Sequence, residues 1–211
     1  MNILKPQKLV LDKLIKTNNL SNTEEDEKIS NINLESFKKD NIELNDITIE
    51  KSIITNTEII NSNLDKNTFI DVIFKNCNFS NTSFENCTFI RCEFNNCKMA
   101  GDVFIEAMLY NVSFVESNLN YTNFTTASIE NAYFENTVLR NSCFQENKFK
   151  NIILKNADLT QALFFKTSLN KIDLSDSIID GIVLSADDIK GAIINEFQAV
   201  DLISLLGVKV K

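Results

Sequence analysis

The chain has 211 residues, a formal net charge of −8 and a sequence pI near 4.7, with no histidine, no tryptophan and one proline. An acidic surface disfavours indiscriminate contact with nucleic acid, and the missing histidine removes the commonest general base, which argues against an enzyme. No apolar run approaches the roughly 18 residues of a membrane span, no secretory signal pattern opens the chain, and five free-looking cysteines fit a reducing, cytoplasmic setting.

Residues 1–31 form a first region. Val10, Leu11, Leu14 and Ile15 recur at helical spacing, Lys5, Lys8, Lys13 and Lys16 surround them, and Pro6 stands near a helix start. The spacing predicts one short amphipathic helix. Such a helix can cap the neighbouring region, bind a partner or lie on a membrane surface. The run from Asn18 to Lys28, with Glu24, Glu25, Asp26 and Glu27, reads as a solvated linker.

Residues 32–195 keep a strict beat. From Leu44 to Ile194 every fifth residue is large and apolar, thirty-one times in succession, Phe74, Phe84, Phe94, Phe104, Phe114, Phe124, Phe134 and Phe144 among them. On an α-helix five residues turn about 500°, so these side chains would scatter around the cylinder. On a straight strand, whose side chains alternate with period two, they would fall on both faces. Only a backbone that bends once per five residues turns them all inward, which is a β-solenoid. Two residues before each centre stands a mostly small residue that also faces inward, such as Cys77, Thr82, Cys87, Cys92, Cys97, Ala107 and Thr122. Two residues after the centre come the corners, where Asn recurs and where Gly101, Gly181 and Gly191 fall. Asn67, Asp102 and Asn147 are polar at the small inward position, and each is expected to fold back on turn backbone. Asp102, beside Gly101, is the expected place for a local distortion. The beat opens irregularly: Leu34 fits, Lys39 breaks it, and Ile32, Phe37, Ile42 and Ile47 put bulk at the small position, as an N-terminal capping coil would.

Residues 196–211 change period. Ala199, Leu202, Ile203 and Leu206 take helical spacing, Phe197 and Val200 flank them, Gly207 supplies a stop, and Val208 to Val210 read as a short closing strand. An open β-coil leaves backbone groups unpaired, so a cap is required. The element either closes its own coil or joins two copies, and the two roles are compatible.

The repeat reads A(D/N)LxN with Phe or Leu at the centre, clearest in Asn156-Ala157-Asp158-Leu159-Thr160 and Asn81-Thr82-Ser83-Phe84-Glu85. In this it resembles the pentapeptide-repeat proteins. The resemblance implies an all-β fold, a right-handed quadrilateral β-helix with four repeats per coil, flanked here by short terminal helices. Residues twenty apart then stack at about 4.8 Å, and about eight coils make a rod of roughly 40 Å. Phe84, Phe104, Phe124 and Phe144 become one internal ladder, and Phe74, Phe94, Phe114 and Phe134 another. Cys77 and Cys97 stack on one wall, where a disulfide is conceivable. The clustered cysteines read either as small buried residues or as a metal or redox site. Cys143, just before a centre, is expected to face outward. No cofactor and no metal site are expected.

The family also frames a function. Some members mimic DNA, bind type II topoisomerases (DNA gyrase and topoisomerase IV) and protect them from quinolones or toxic peptides, and the ending Phe197 to Val210 resembles their dimerisation module. No Lys or Arg lies between Lys98 and Arg140. Under four-wall stacking Asp65, Glu85, Glu106 and Glu146 share one wall and Glu116 and Glu135 another, and with Glu130 these form the expected partner-binding acids. They would stand where phosphates lie in a basic groove. Phe197, Ala199, Leu202, Ile203 and Leu206 are the expected cap or homodimer contacts. Neither direct nucleic-acid binding nor membrane insertion is expected. Against the mimic stand five lysines, Lys148, Lys150, Lys155, Lys166 and Lys171, crowded near the C-terminal end beside Asp158 alone. The alternative is a non-catalytic scaffold protein with an unrelated partner.

Overall fold

The computed structural model describes residues 4–5, 14–17, 27–206 and 208. From Asn31 to Lys171 every fifth residue lies in the left-handed backbone region, with φ between 48° and 66° except at Gly101, where it is 78°. These are the corners that the five-residue beat requires. Left-handed backbone crowds a Cβ, and Asn tolerates it best because its short side chain bonds locally. Here the Asn side chains bond along the rod: Asn96 Nδ2 donates to Asn76 Oδ1 at 2.9 Å, and Asn156 Nδ2 to Asn136 Oδ1 at 2.7 Å. At Gly101, where φ is 78°, a Cβ would come within 2.5 Å of Asn81 Oδ1, so any other residue there requires the Asn81 side chain to shift.

Four corners complete one turn, because the register between coils is twenty. The strands are β1 Ile15–Thr17, β2 Lys28–Ser30, β3 Ile32–Glu35, β4 Lys38–Asp40, β5 Thr48–Thr55, β6 Glu58–Ile60, β7 Thr68–Lys75, β8 Thr88–Ile90, β9 Glu93–Asn95, β10 Met108–Val115, β11 Ser128–Glu135 and β12 Lys148–Lys155. All pair in parallel; Phe114 of β10, for example, faces Phe94 of β9 and Phe134 of β11. Two sides of the prism carry a continuous ten-stranded sheet. The other two are held mainly by single bridges such as Asn63 with Ser83 and Asn118 with Val138.

Both phenylalanine ladders run through the interior. Ring centroids are 4.5, 4.8 and 5.0 Å apart from Phe74 through Phe94 and Phe114 to Phe134. They are 5.0, 5.0, 4.9 and 4.9 Å apart from Phe84 through Phe104, Phe124 and Phe144 to Phe164. Nearly parallel rings at strand spacing are stacks that add to plain burial. The centres are buried throughout, except that Leu44, Phe149, Ile189 and Ile194 are half-buried. Beside them the small inward residues satisfy backbone: Thr82 Oγ1 donates to Ile59 O at 2.9 Å, Thr122 Oγ1 to Met99 O at 3.1 Å and Ser142 Oγ to Leu119 O at 2.7 Å. In each case the acceptor is the carbonyl 23 residues earlier.

The N-terminal expectation is corrected in part. Val10 and Leu11 lie outside the described residues, but Ile15 belongs to a strand, not a helix. Strand β1 pairs with β3, and Ile15 N–H donates to Asn31 O at 2.8 Å. The exposed edge of the first coil outweighs helical spacing in so short a segment. Farther along the rod, Leu4 N–H donates to Asn111 Oδ1 at 3.2 Å.

At the other end helix α1 Glu196–Leu202 is followed by a 3-10 turn, Ile203–Leu206. Asn195 and Gln198 form a reciprocal capping box, and Gln198 Nε2 donates to Leu174 O and Ser177 O, both at 2.8 Å. One buried amide thereby stitches the helix to the last coils. Val208 is not in a strand, and Gly207, Lys209 and Val210 lie outside the described residues.

Candidate partner-binding surface

The seven expected acids do not form one face. Asp65, Glu85, Glu106 and Glu146 follow stacked centres of one side and its corner, Glu130 lies on β11 next to a second corner, and Glu116 and Glu135 border a third. Nor do they share one electrostatic state. Lys150 reaches Glu130 at 2.5 Å, Lys155 reaches Glu135 at 2.7 Å and Lys166 reaches Glu146 at 2.8 Å. Each lysine stands twenty residues on, directly below its partner. These hydrogen-bonded ammonium groups hold all three carboxyls below the usual glutamate range, with Tyr110 assisting at Glu130 and Tyr133 at Glu135. Three of the five lysines that count against an acidic rod are therefore the counterions of its own acids. Asp65 bonds along the outer face of its wall, accepting from Ser83 Oγ at 2.5 Å and from Glu85 N–H at 2.8 Å. Glu85, Glu106 and Glu116 make no ion pair among the described residues.

A bidentate pair that charge counting along the chain does not reveal lies at another corner. Arg91 Nε and Nη2 donate to the two oxygens of Asp71 at 2.6 and 2.8 Å, with the Asp71 side chain 1% exposed. The signal is again the twenty-residue spacing of opposite charges.

The clustered cysteines occupy interior positions. Cys77, Cys87, Cys92 and Cys97 are buried, and their thiols donate to the carbonyls of Ile54, Leu64, Phe69 and Phe74 at 3.3, 3.0, 3.4 and 3.7 Å. Burial pushes the Cys92 thiol up to about 12. Cys143 is partly exposed and contacts Thr125 Oγ1 at 3.3 Å.

The C-terminal set divides by face. Leu202 is buried and Ile203 half-buried at the last coil, whereas Phe197, Ala199 and Val200 are exposed, Phe197 by 78%. The side chain of Leu206 lies outside the described residues. Ala186, Ile189, Ala192, Ile194, Ala199 and Leu202 border an open apolar cavity of about 350 Å³ at this end.

Two family models match the chain: a pentapeptide repeat region over residues 87–164, and eight copies of pentapeptide repeats over residues 69–101 and 148–181. Together they span residues 69–181 without a break, and the chain belongs to the pentapeptide-repeat proteins. Among solved structures, a trypsin-treated variant of QnrB1, a plasmid-mediated fluoroquinolone resistance protein, is 20% identical, covering 88% of this chain and 100% of that one at a TM-score of 0.44. HetL, a pentapeptide repeat protein involved in heterocyst differentiation regulation from the cyanobacterium Nostoc sp. strain PCC 7120, is 14% identical, covering 79% and 91% at a TM-score of 0.46. No curated protein matches the chain. Among the described residues no helix is long and apolar enough to cross a membrane.

Proposed function

We propose that this chain is a non-catalytic, cytoplasmic protein-binding rod that occupies the basic DNA groove of a type II topoisomerase, DNA gyrase or topoisomerase IV, and protects the enzyme from quinolone-type inhibitors. The supporting observation is the trio Glu85, Glu106 and Glu116, solvent-facing carboxylates without internal counterions on a rigid, straight scaffold. Their positions are set by backbone stacking, so the charges are pre-positioned before any partner arrives. The exposed Phe197 and Val200, beside the apolar cavity at the same end, support association of two copies there into a longer rod.

Purified protein is expected to inhibit gyrase supercoiling or rescue it from a quinolone, with the effect fading as salt rises. The combined change Glu85→Lys, Glu106→Lys and Glu116→Lys removes the effect and leaves the circular dichroism of the rod unchanged. Failure to bind gyrase at low salt overturns the topoisomerase reading. The second reading, a scaffold with an unrelated partner, is favoured by the internal pairing of Glu130, Glu135 and Glu146, which leaves less acidic surface than the residue count suggests. Light scattering tests the dimer: Phe197→Glu should yield monomers, and a monomeric parent protein removes the proposal.

A further inference from the structure

Asp102 is fully buried in the column of inward small residues, between Thr82 and Thr122 on the neighbouring coils. Its Oδ1 accepts the Thr82 N–H at 3.0 Å, while its Oδ2 is buried and has no partner. The neighbours in this column show where Oδ2 should turn, because Thr82, Thr122 and Ser142 each donate to the carbonyl 23 residues earlier. For residue 102 that carbonyl is Phe79 O. No described N–H donates to it, since the Thr82 N–H, which would otherwise close the turn on it, is taken by Asp102. Asn67 shows the same arrangement complete: its Oδ1 accepts Ile47 N–H at 2.9 Å and its Nδ2 donates to Leu44 O, 23 residues back, at 2.7 Å. Asp102 thus has the shape of Asn67 but lacks one hydrogen, and the carbonyl that would receive that hydrogen stands unpaired.

We propose that Asp102 is a neutral carboxylic acid in the folded rod, its Oδ2–H donating to Phe79 O, so that the central coils take up a proton on folding and loosen as pH rises. Burial raises this carboxyl well above the usual range, against the opposing pull of the Thr82 N–H. The inward titratable groups on the coils around it are the thiols of Cys77, Cys87, Cys92 and Cys97; burial pushes those of Cys87 and Cys92 up, and the Cys77 thiol pushes that of Cys97 up. Lys98, Glu85 and Glu106 lie on the outside of these walls, so among the described residues no charge faces Asp102 from within. The linkage has one sign. In the unfolded chain Asp102 ionises near the ordinary value of about 3.9. Its stabilising contribution is complete below that pH, and it declines as pH climbs toward and through the raised folded value.

Asp102→Asn supplies the missing hydrogen at every pH, as Asn67 does. The variant should melt within about 1 °C of the parent near pH 4, and about 4 °C or more above it near pH 8. At neutral pH the parent should show the infrared carbonyl band of a protonated carboxylic acid, and Asp102→Asn should lose it. A difference in melting that does not change with pH, or a parent without that band, overturns the proposal. Should the variant fail to fold, the parent's own band and its loss of stability between about pH 4 and pH 8 decide the matter.

Discussion

Between Phe69 and Phe164 two ladders of stacked rings run through the interior, corners fall every five residues with left-handed backbone, and eight-residue strands recur in β7, β10, β11 and β12 as in β5 before them. From Phe165 to Ile194 the same beat continues with Leu and Ile centres, yet among the described residues no strand comes after β12. Asp176 and Ala186 sit at corner positions without positive φ. Around residue 186 a local turn takes over, in which Asp188 Oδ2 accepts from the Ser185 N–H at 2.9 Å and the Ser185 hydroxyl at 2.6 Å. Outward positions change as well: Phe165, Ile178, Val183 and Ile193 are exposed, where the middle coils carry mostly Asn, Ser, Thr and charged residues. Periodicity in the sequence thus specifies the inward direction of a residue without by itself specifying a strand. Where the ladders lapse, the surface turns apolar beside the exposed Phe197.

The sharpest way to break this contrast is a charge in the ladder. Phe114 is fully buried between two stacked rings, and even Phe114→Ala should cost about 3–5 kcal/mol. Phe114→Lys should give no soluble folded protein, and a normal yield with an unchanged melting curve would contradict the ladder. Next comes the middle's corner clamp. Arg91→Ala removes the two hydrogen bonds that Arg91 gives to the buried Asp71 and should destabilise the rod by about 1.5–3 kcal/mol in urea melts, with Arg91→Lys milder. A third change acts only at the other end. Gln198→Ala frees the Leu174 and Ser177 carbonyls, costs about 1–3 kcal/mol, and should speed hydrogen exchange after residue 165 while sparing residues 84–134. The smallest effect is expected at an exposed pair: Glu135→Gln should leave the melting temperature unchanged, because solvent screens such contacts.

Much of the fold was legible because a five-residue apolar period admits so few backbones, and corner positions such as Asn111, Asn131 and Asn151 derive from it directly. The surface was less legible. Glu130, Glu135 and Glu146 look like free acids when charges are read along the chain, yet each lies one coil above a lysine. The stacking register needed to see those pairs is implied by the family resemblance, but opposite charges twenty residues apart are not neighbours in a linear reading. The capping box could have been read in Asn195-x-x-Gln198, whereas the two carbonyls that Gln198 serves could not. Ile15 misled because helical spacing over so few residues is a weak signal beside an open sheet edge.

The twenty-residue register also makes the length of this molecule discrete. Inserting or deleting one five-residue unit would rotate every downstream side group a quarter turn about the axis, carrying Glu116 to a different side while leaving the packing inside nearly unchanged. Only steps of twenty preserve the facing of all groups, each moving the two ends apart by about 4.8 Å. Such a chain is a ruler with fixed graduations, and a partner that grips it at two points reads a whole number of coils.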